Sequence, residues 1–174
     1  SDVAADVPVA TPPFWGTRIV KGLPLDDYLT TLDERALFMG QWGLRGTRGN
    51  EGPSYEELVE SDGRPRFRAW LQRLRAENIL QHAAVVYGYF PAVSEGDTVH
   101  VLPLPAEGEQ PDPTAEPVVS WTFPRQQRGR FLCIADFIRS REDAIATGQT
   151  DVMPFQLVTM GQPIADFALS LIHI

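Results

Sequence analysis

Residues 83–102, Ala-Ala-Val-Val-Tyr-Gly-Tyr-Phe-Pro-Ala-Val-Ser-Glu-Gly-Asp-Thr-Val-His-Val-Leu, decide the fold class. The β-branched and aromatic residues from Val85 to Phe90 suit a pleated, half-buried surface, and Pro91 bounds the run. Ser94, Glu95, Gly96 and Asp97 then supply turn chemistry ahead of residues 98–102, so the two runs read as an antiparallel hairpin. A third run, residues 118–123, is placed to pair with that hairpin. Between them Pro103, Pro105, Pro111, Pro113 and Pro117, interleaved with acids and Gly108, predict a mobile and poorly fixed loop.

Upstream of the hairpin the spacing turns helical. Pro24 suits a helix start, Asp26 and Asp27 a first turn, and Leu25, Tyr28, Leu29 and Leu32 recur on one face. Residues 37–44 are apolar, but Gly43, Gly46 and Gly49 predict a loop by Asn50. Ser54 and Glu57 form a capping-box pattern, which predicts a helix through Glu60. Residues 64–78 put Phe67, Trp70, Leu71 and Leu74 on one face, with Arg66, Arg68, Arg73 and Arg75 elsewhere, where they solvate the outer side.

Downstream, residues 131–138 are an apolar run that reads equally as strand or helix, because so short a run has no decisive period. Residues 155–160 predict a strand stopped by Gly161 and Pro163. From Ile164 an amphipathic helix begins, with Phe167, Ala168 and Leu171 on its apolar side. Residues 1–13 lack any periodicity and read as a linker or boundary, which leaves residues 14–174 as one α+β domain.

Composition narrows the function classes. The 174 residues are 43% hydrophobic and 22% charged, an ordinary globular balance. Fifteen basic against 23 acidic residues give a net charge of -8, which repels a phosphate backbone, so nucleic acid is not an expected partner. No stretch reaches the roughly 18 to 20 apolar residues of a membrane helix, so no membrane partner is expected. Cys133 is the single cysteine, which excludes an internal disulfide and a multi-cysteine zinc site and fits a reducing, cytoplasmic location.

Candidate chemistry is sparse. His82, His100 and His173 stand at unrelated intervals without metal-ligand spacing, so no metal site is expected. His100, alternating with Val99 and Val101, is expected on the less buried strand face. Cys133, between Leu132 and Ile134, reads as a small buried hydrophobe. The glycine-rich stretch 43–49, with Arg45 and Arg48, reads as a flexible turn rather than a phosphate cradle, since it has neither the P-loop lysine nor a dinucleotide fingerprint. Arg125, Arg128 and Arg130, with Gln126 and Gln127, read as a surface loop or protein-docking edge. Residue types and spacing therefore stop at a soluble α+β domain.

Several segments taken in order resemble the reactivation domain of the cobalamin-dependent methionine synthase family. Asp33-Glu34-Arg35-Ala36-Leu37-Phe38-Met39-Gly40-Gln41-Trp42 is similar to the family's aspartate followed by an aromatic pair and tryptophan, with one additional residue before Trp42. Gly88-Tyr89-Phe90-Pro91-Ala92 and then Gly96-Asp97 resemble its Gly-aromatic-Phe-Pro-Ala hairpin. Phe123-Pro124-Arg125-Gln126-Gln127, Cys133-Ile134-Ala135-Asp136-Phe137, Asp151 and residues 155–161 resemble the signatures that follow. The likeness covers roughly residues 14 to 168.

The resemblance implies a twisted antiparallel sheet with flanking helices, incomplete at the C-terminus, and a part in a methyltransferase. In the family this domain binds S-adenosylmethionine for reductive remethylation of oxidised cobalamin. It implies as partners the cobalamin-binding module of the same protein and a flavodoxin-like reductase, with cobalamin and zinc held by other modules. Asp33 is the position that carries over as a contact to S-adenosylmethionine, through its amino group or a hydroxyl; capping a helix or pairing with Arg35 accounts for Asp33 equally well. The family's Arg-x-x-x-Gly-Tyr-Pro segment has no counterpart, and residues 169–174 depart from the polar helix expected there. The chain alone is therefore expected to be inactive, and an incompletely covered sheet favours self-association. The alternative reading is a non-enzymatic interaction module docking a flavodoxin-like reductase or a neighbouring domain.

Overall fold

The structure, a computed structural model, describes residues 3–4, 7–22, 24–47 and 52–172. Arg48, Gly49, Asn50, His173 and Ile174, named above, lie outside the described residues. The chain forms two compact units, residues 1–19 with 86–157, and residues 20–85 with 158–174. No helix among the described residues is long and apolar enough to cross a membrane.

The five strands β1 (Gly16–Lys21), β2 (Ala84–Glu95), β3 (Thr98–Val101), β4 (Val119–Thr122) and β5 (Asp151–Thr159) form an open antiparallel sheet. Its order is β1-β2-β3-β4, and β5 pairs with β2. The expected hairpin is β2 with β3: Glu95 faces Thr98 and Ala92 faces Val101 across a two-residue turn, where Gly96 supplies the positive φ of +57°. The expected third strand is β4, with Val99 opposite Trp121 and His100 opposite Ser120. β2 does not stop at Pro91 as predicted. Proline lacks only the donor, and its carbonyl accepts the Leu102 amide at 2.8 Å, so the strand continues to Glu95.

In the unit of residues 1–19 and 86–157 both faces of the hairpin are covered. Ala92 and Val99 pack with Cys133 and Ala135 on one face; Val93 and Leu102 pack with Ala144 on the other. Ala144 belongs to α4 (Arg141–Thr147), a helix the sequence reading missed. Ser140 caps it, accepting from Asp143 N at 3.0 Å, and Gly148 ends it in the left-handed region. The run 131–138, left open above, becomes a short 3-10 helix at Ile134–Phe137. The proline-rich loop is held rather than loose: Arg141 Nη1 donates to the carbonyls of Pro113 and Ala115, both at 3.3 Å. Asp112 Oδ1 accepts from Thr114 N at 2.8 Å. Gly88 has a steric reason, since a Cβ there would collide with the Gly16 carbonyl.

The other unit is mainly helical, with α1 (Leu25–Leu29), α2 (Tyr55–Leu58), α3 (Arg64–Glu77) and α5 (Gln162–Ile172). The Ser54–Glu57 capping box forms as expected: Ser54 N donates to Glu57 Oε2 at 2.8 Å and Glu57 N to Ser54 Oγ at 3.2 Å. Those bonds, the Ser54 amide first, hold the Glu57 carboxyl below its ordinary range. A π-helix, Val59–Gly63, joins α2 to α3, whose second residue is Pro65. A proline would break an α ladder four residues upstream, and the wider turn absorbs that break. α3 buries no residue fully, but Phe67, Trp70, Leu71 and Leu74 are all half-buried, as the predicted face requires. α5 packs Phe167 edge-on to Trp70, with ring centroids 6.0 Å apart. Gly161, just before α5, sits where a Cβ would approach His82 Cβ to 2.6 Å.

Candidate functional site

Asp33 lies on the exposed surface of the mainly helical unit, at the head of a π-helix, Ala36–Gln41. Its Oδ1 accepts the Ala36 amide at 2.9 Å, so the capping role expected as one alternative is realised. The ladder then widens: Leu37 N donates to Asp33 O at 3.0 Å, whereas Trp42 N reaches five residues back to Leu37 O at 2.9 Å. A π turn encloses one more residue than an α turn, which accommodates the additional residue between Asp33 and Trp42.

The π-helix is anchored by Phe38, which is 1% exposed and packs with Leu44 and Val59. Trp42 and Phe67 flank Phe38 at ring distances of 5.4 and 6.0 Å. Gly63, ending the second π-helix, leaves room for this cluster, since a Cβ there would stand 3.1 Å from Leu44 Cδ1. Asp33 thus projects from a backbone fixed by an aromatic core. Three arginines of α3 pair with carboxylates: Arg64 with Glu60 at 2.7 Å, Arg66 with Asp62 at 2.6 Å, and Arg73 with Glu77 at 2.7 Å. For Arg66 and Arg73, both exposed, this matches their reading as outer-face residues. Gly46 serves local packing against Tyr55 N, not a ligand cradle.

The second cluster lies in the sheet-rich unit and takes in one arginine of residues 125–130, whereas Arg128 and Arg130 are exposed on the surface loop expected there. Arg125 turns inward. Its Nη2 donates to Asp97 Oδ1 at 2.6 Å and to Asp136 Oδ1 at 2.9 Å, while Nη1 donates to Asp136 Oδ2 at 2.8 Å and to the Phe131 carbonyl at 2.7 Å. A guanidinium so fully bound has no donor geometry to offer a partner. Asp136, with a side chain 10% exposed, also accepts from Cys133 N at 2.9 Å. The Arg125 hydrogen bonds first, then the Cys133 amide, hold its carboxyl at about 2, and the two aspartates push Arg125 up. The clamp also fixes Phe131, whose φ of +53° is unusual for an aromatic residue. Cys133 is buried as expected, beneath the Phe123 carbonyl.

His100 takes the less buried face of β3, as expected, while Val99 and Val101 on the other face are buried. Its side chain is 16% exposed, with Nδ1 2.7 Å from Ser120 Oγ and Nε2 3.0 Å from Glu95 Oε2. It occupies the face opposite Val99, but α4 covers that face, and Arg141 Nε stands 3.2 Å from the same Glu95 oxygen as an ion pair without hydrogen-bond alignment. The cluster fastens the hairpin to α4. Period-2 alternation signals which side His100 takes but not that a helix lies over it. His82 is exposed at the expected helix-to-strand turn. Among the described residues no three His, Cys, Asp or Glu side chains are grouped to hold a metal ion.

The open antiparallel sheet with flanking helices in this order is a fold found in a solved structure. It matches a crystal structure of the MetH reactivation domain bound to AdoHcy with a TM-score of 0.63 and 22% identity, over 94% of this chain and 47% of that one. In sequence the chain is similar to methionine synthase of Mycobacterium tuberculosis strain H37Rv, 68% identical over 168 residues, 97% of this chain and 14% of the relative. It is likewise 64% identical to methionine synthase of Mycobacterium leprae over 167 residues, 96% of this chain and 13% of that relative. No family model matches the chain. These relatives are methyltransferases, and the chain spans about one seventh of their length, 14% and 13% respectively.

Proposed function

We propose that this chain is the leading half of the reactivation domain of a cytoplasmic, cobalamin-dependent methionine synthase and forms one wall of its S-adenosylmethionine site. The observation that carries the reading is the 68% identity to a methionine synthase over 97% of the chain. S-adenosylmethionine, when bound, supplies a sulfonium methyl group for remethylation of oxidised cobalamin. The chain's share of the task is positioning. Cobalamin and zinc fall to other modules of that protein, since the sequence has no cobalamin-binding Asp-x-His-x-x-Gly motif and only one cysteine, too few for a multi-cysteine zinc site. A flavodoxin-like reductase is the electron donor this role requires.

Asp33 is the contact. Oδ1 is engaged by Ala36 N, and Oδ2 of the same exposed carboxylate is the atom that would accept from the ligand's amino group or a hydroxyl. The cap fixes the carboxylate's direction before ligand arrives. The chain alone is expected to give no heat with S-adenosylmethionine in calorimetry, whereas a longer polypeptide carrying the Arg-x-x-x-Gly-Tyr-Pro segment binds it. In that polypeptide Asp33→Asn keeps an oxygen for the cap but removes the charge, and affinity should fall roughly tenfold. Unchanged affinity in both Asp33→Asn and Asp33→Ala would take Asp33 out of the site.

A further inference from the structure

The sheet-rich unit carries a groove of about 1040 Å³ that plays no part in the function proposed above. Phe137, Ile145 and Val7 line it while remaining 59%, 51% and 59% exposed. Apolar side chains left open to solvent along one groove offer a contact surface to an apolar partner. They are also rigidly presented. Phe137 ends the 3-10 helix whose Asp136 is clamped by Arg125, and Ile145 rides on α4 one residue from the fully buried Ala144.

The charges at the rim select the occupant. Glu95 and Asp136 on the groove's lining are paired within the protein, to Arg141 and Arg125, which leaves the exposed carboxylates of Glu142 and Asp143 and the half-buried Asp151 to set the sign of the rim, in a chain of net charge -8. The two arginines of the lining are turned to the protein, Arg141 to Glu95 and the loop carbonyls, Arg139 to Thr147. We propose that this groove seats a basic amphipathic segment, apolar along one side and bearing Lys or Arg along its edges, supplied by another part of the same longer polypeptide.

The source follows from area and length. Separate proteins need on the order of 800 Å² per partner for a stable interface, and three side chains supply only a fraction of that. A tethered segment binds at an effective concentration on the order of millimolar, which makes a small surface sufficient. The relatives provide the tethered chain, since this one spans 14% of the methionine synthase it is 68% identical to. The inference therefore rests on the proposed membership of a longer methionine synthase.

The test uses the full-length polypeptide with a photo-crosslinking amino acid at position 137, and at exposed Glu107 as the reference position. The cross-link from 137 should land within the same polypeptide, outside these 174 residues, on a segment rich in Lys or Arg. Its yield should fall on the order of fivefold in Ile145→Ser and in Glu142→Lys, both exposed positions whose replacement leaves the fold intact. No yield above the Glu107 reference, a cross-link to a separate protein, or indifference to Glu142→Lys would overturn the proposal. Calorimetry with S-adenosylmethionine on the same preparations separates the two readings. Binding that persists while the cross-link is absent refutes the groove alone; a cross-link without binding refutes the ligand site alone.

Discussion

Ion pairs of the same chemistry hold the two units in different ways. On α3, Arg73 and Glu77 meet at 2.7 Å with side chains 44% and 43% exposed, an ion pair within one helix, and the same guanidinium lies 4.2 Å over the Phe167 ring of α5. In the sheet-rich unit, Arg125 joins Asp97 and Asp136, 28 and 11 residues away in sequence, and also carries the Phe131 carbonyl. The first pair decorates a helix that would form without it; the second ties together a turn, a loop and a 3-10 helix that are separate in sequence. An arginine's worth depends on how many otherwise independent segments it ties, not on how short its bonds are.

The contrast can be broken most forcefully where neither unit uses charge. Phe38→Ala empties the aromatic cluster that anchors the Asp33 helix and should cost about 3–5 kcal/mol, read from urea denaturation. A loss confined to well under that range would mean the cluster collapses to fill the space. Next in size, Arg125→Ala should lower the melting temperature by several degrees, because it strands Asp97 and Asp136 and frees a left-handed Phe131. If it proves as mild as Arg73→Ala, the distinction between the two kinds of pair is wrong.

The caps should matter less. Ser140→Ala and Ser54→Ala each remove one hydroxyl acceptor at a helix start and should cost about 1 kcal/mol. Arg73→Ala, which removes the ion pair and the guanidinium over Phe167, should change stability by about 1 kcal/mol or less, with the ion-pair share falling as salt is added.

Acid sharpens the same comparison. Asp136 is depressed on folding from 3.8 to about 2, so its contribution is fully present above 3.8 and is lost as pH falls from there through about 2. The urea midpoint of the natural chain should therefore drop more steeply across that window than that of Asp136→Asn. Parallel curves for the two would show that the carboxylate is no better held in the folded chain than in the unfolded one.

What the sequence made legible followed the range of each interaction. The Ser54–Glu57 capping box, the apolar face of α3 and the hairpin turn at Gly96 are decided within a few residues, and each forms as predicted. α4 was also legible, because Ser140 and Asp143 ahead of Gly148 carry its start and stop signals, but its seven residues show too little periodicity to draw attention. The strand β1 at Gly16–Lys21 has β-branched Thr17, Ile19 and Val20, an equally quiet signal. The resemblance at Asp33 gave the candidate contact, and the structure added the cap on Ala36 N and the π turn behind it.

Sequence alone therefore determined the fold class, the local helix and turn signals and the likeness to a reactivation domain, since these depend on residue order and short-range periodicity. Only tertiary structure decided that Arg125 faces inward, that the proline-rich loop is pinned by Arg141, and that His100 lies under a helix. Each of those outcomes joins groups far apart in sequence, such as Arg125 with Asp136 and Arg141 with Pro113 and Glu95. No local pattern encodes such a meeting, because the partner is chosen by which surfaces the packed sheet brings within reach.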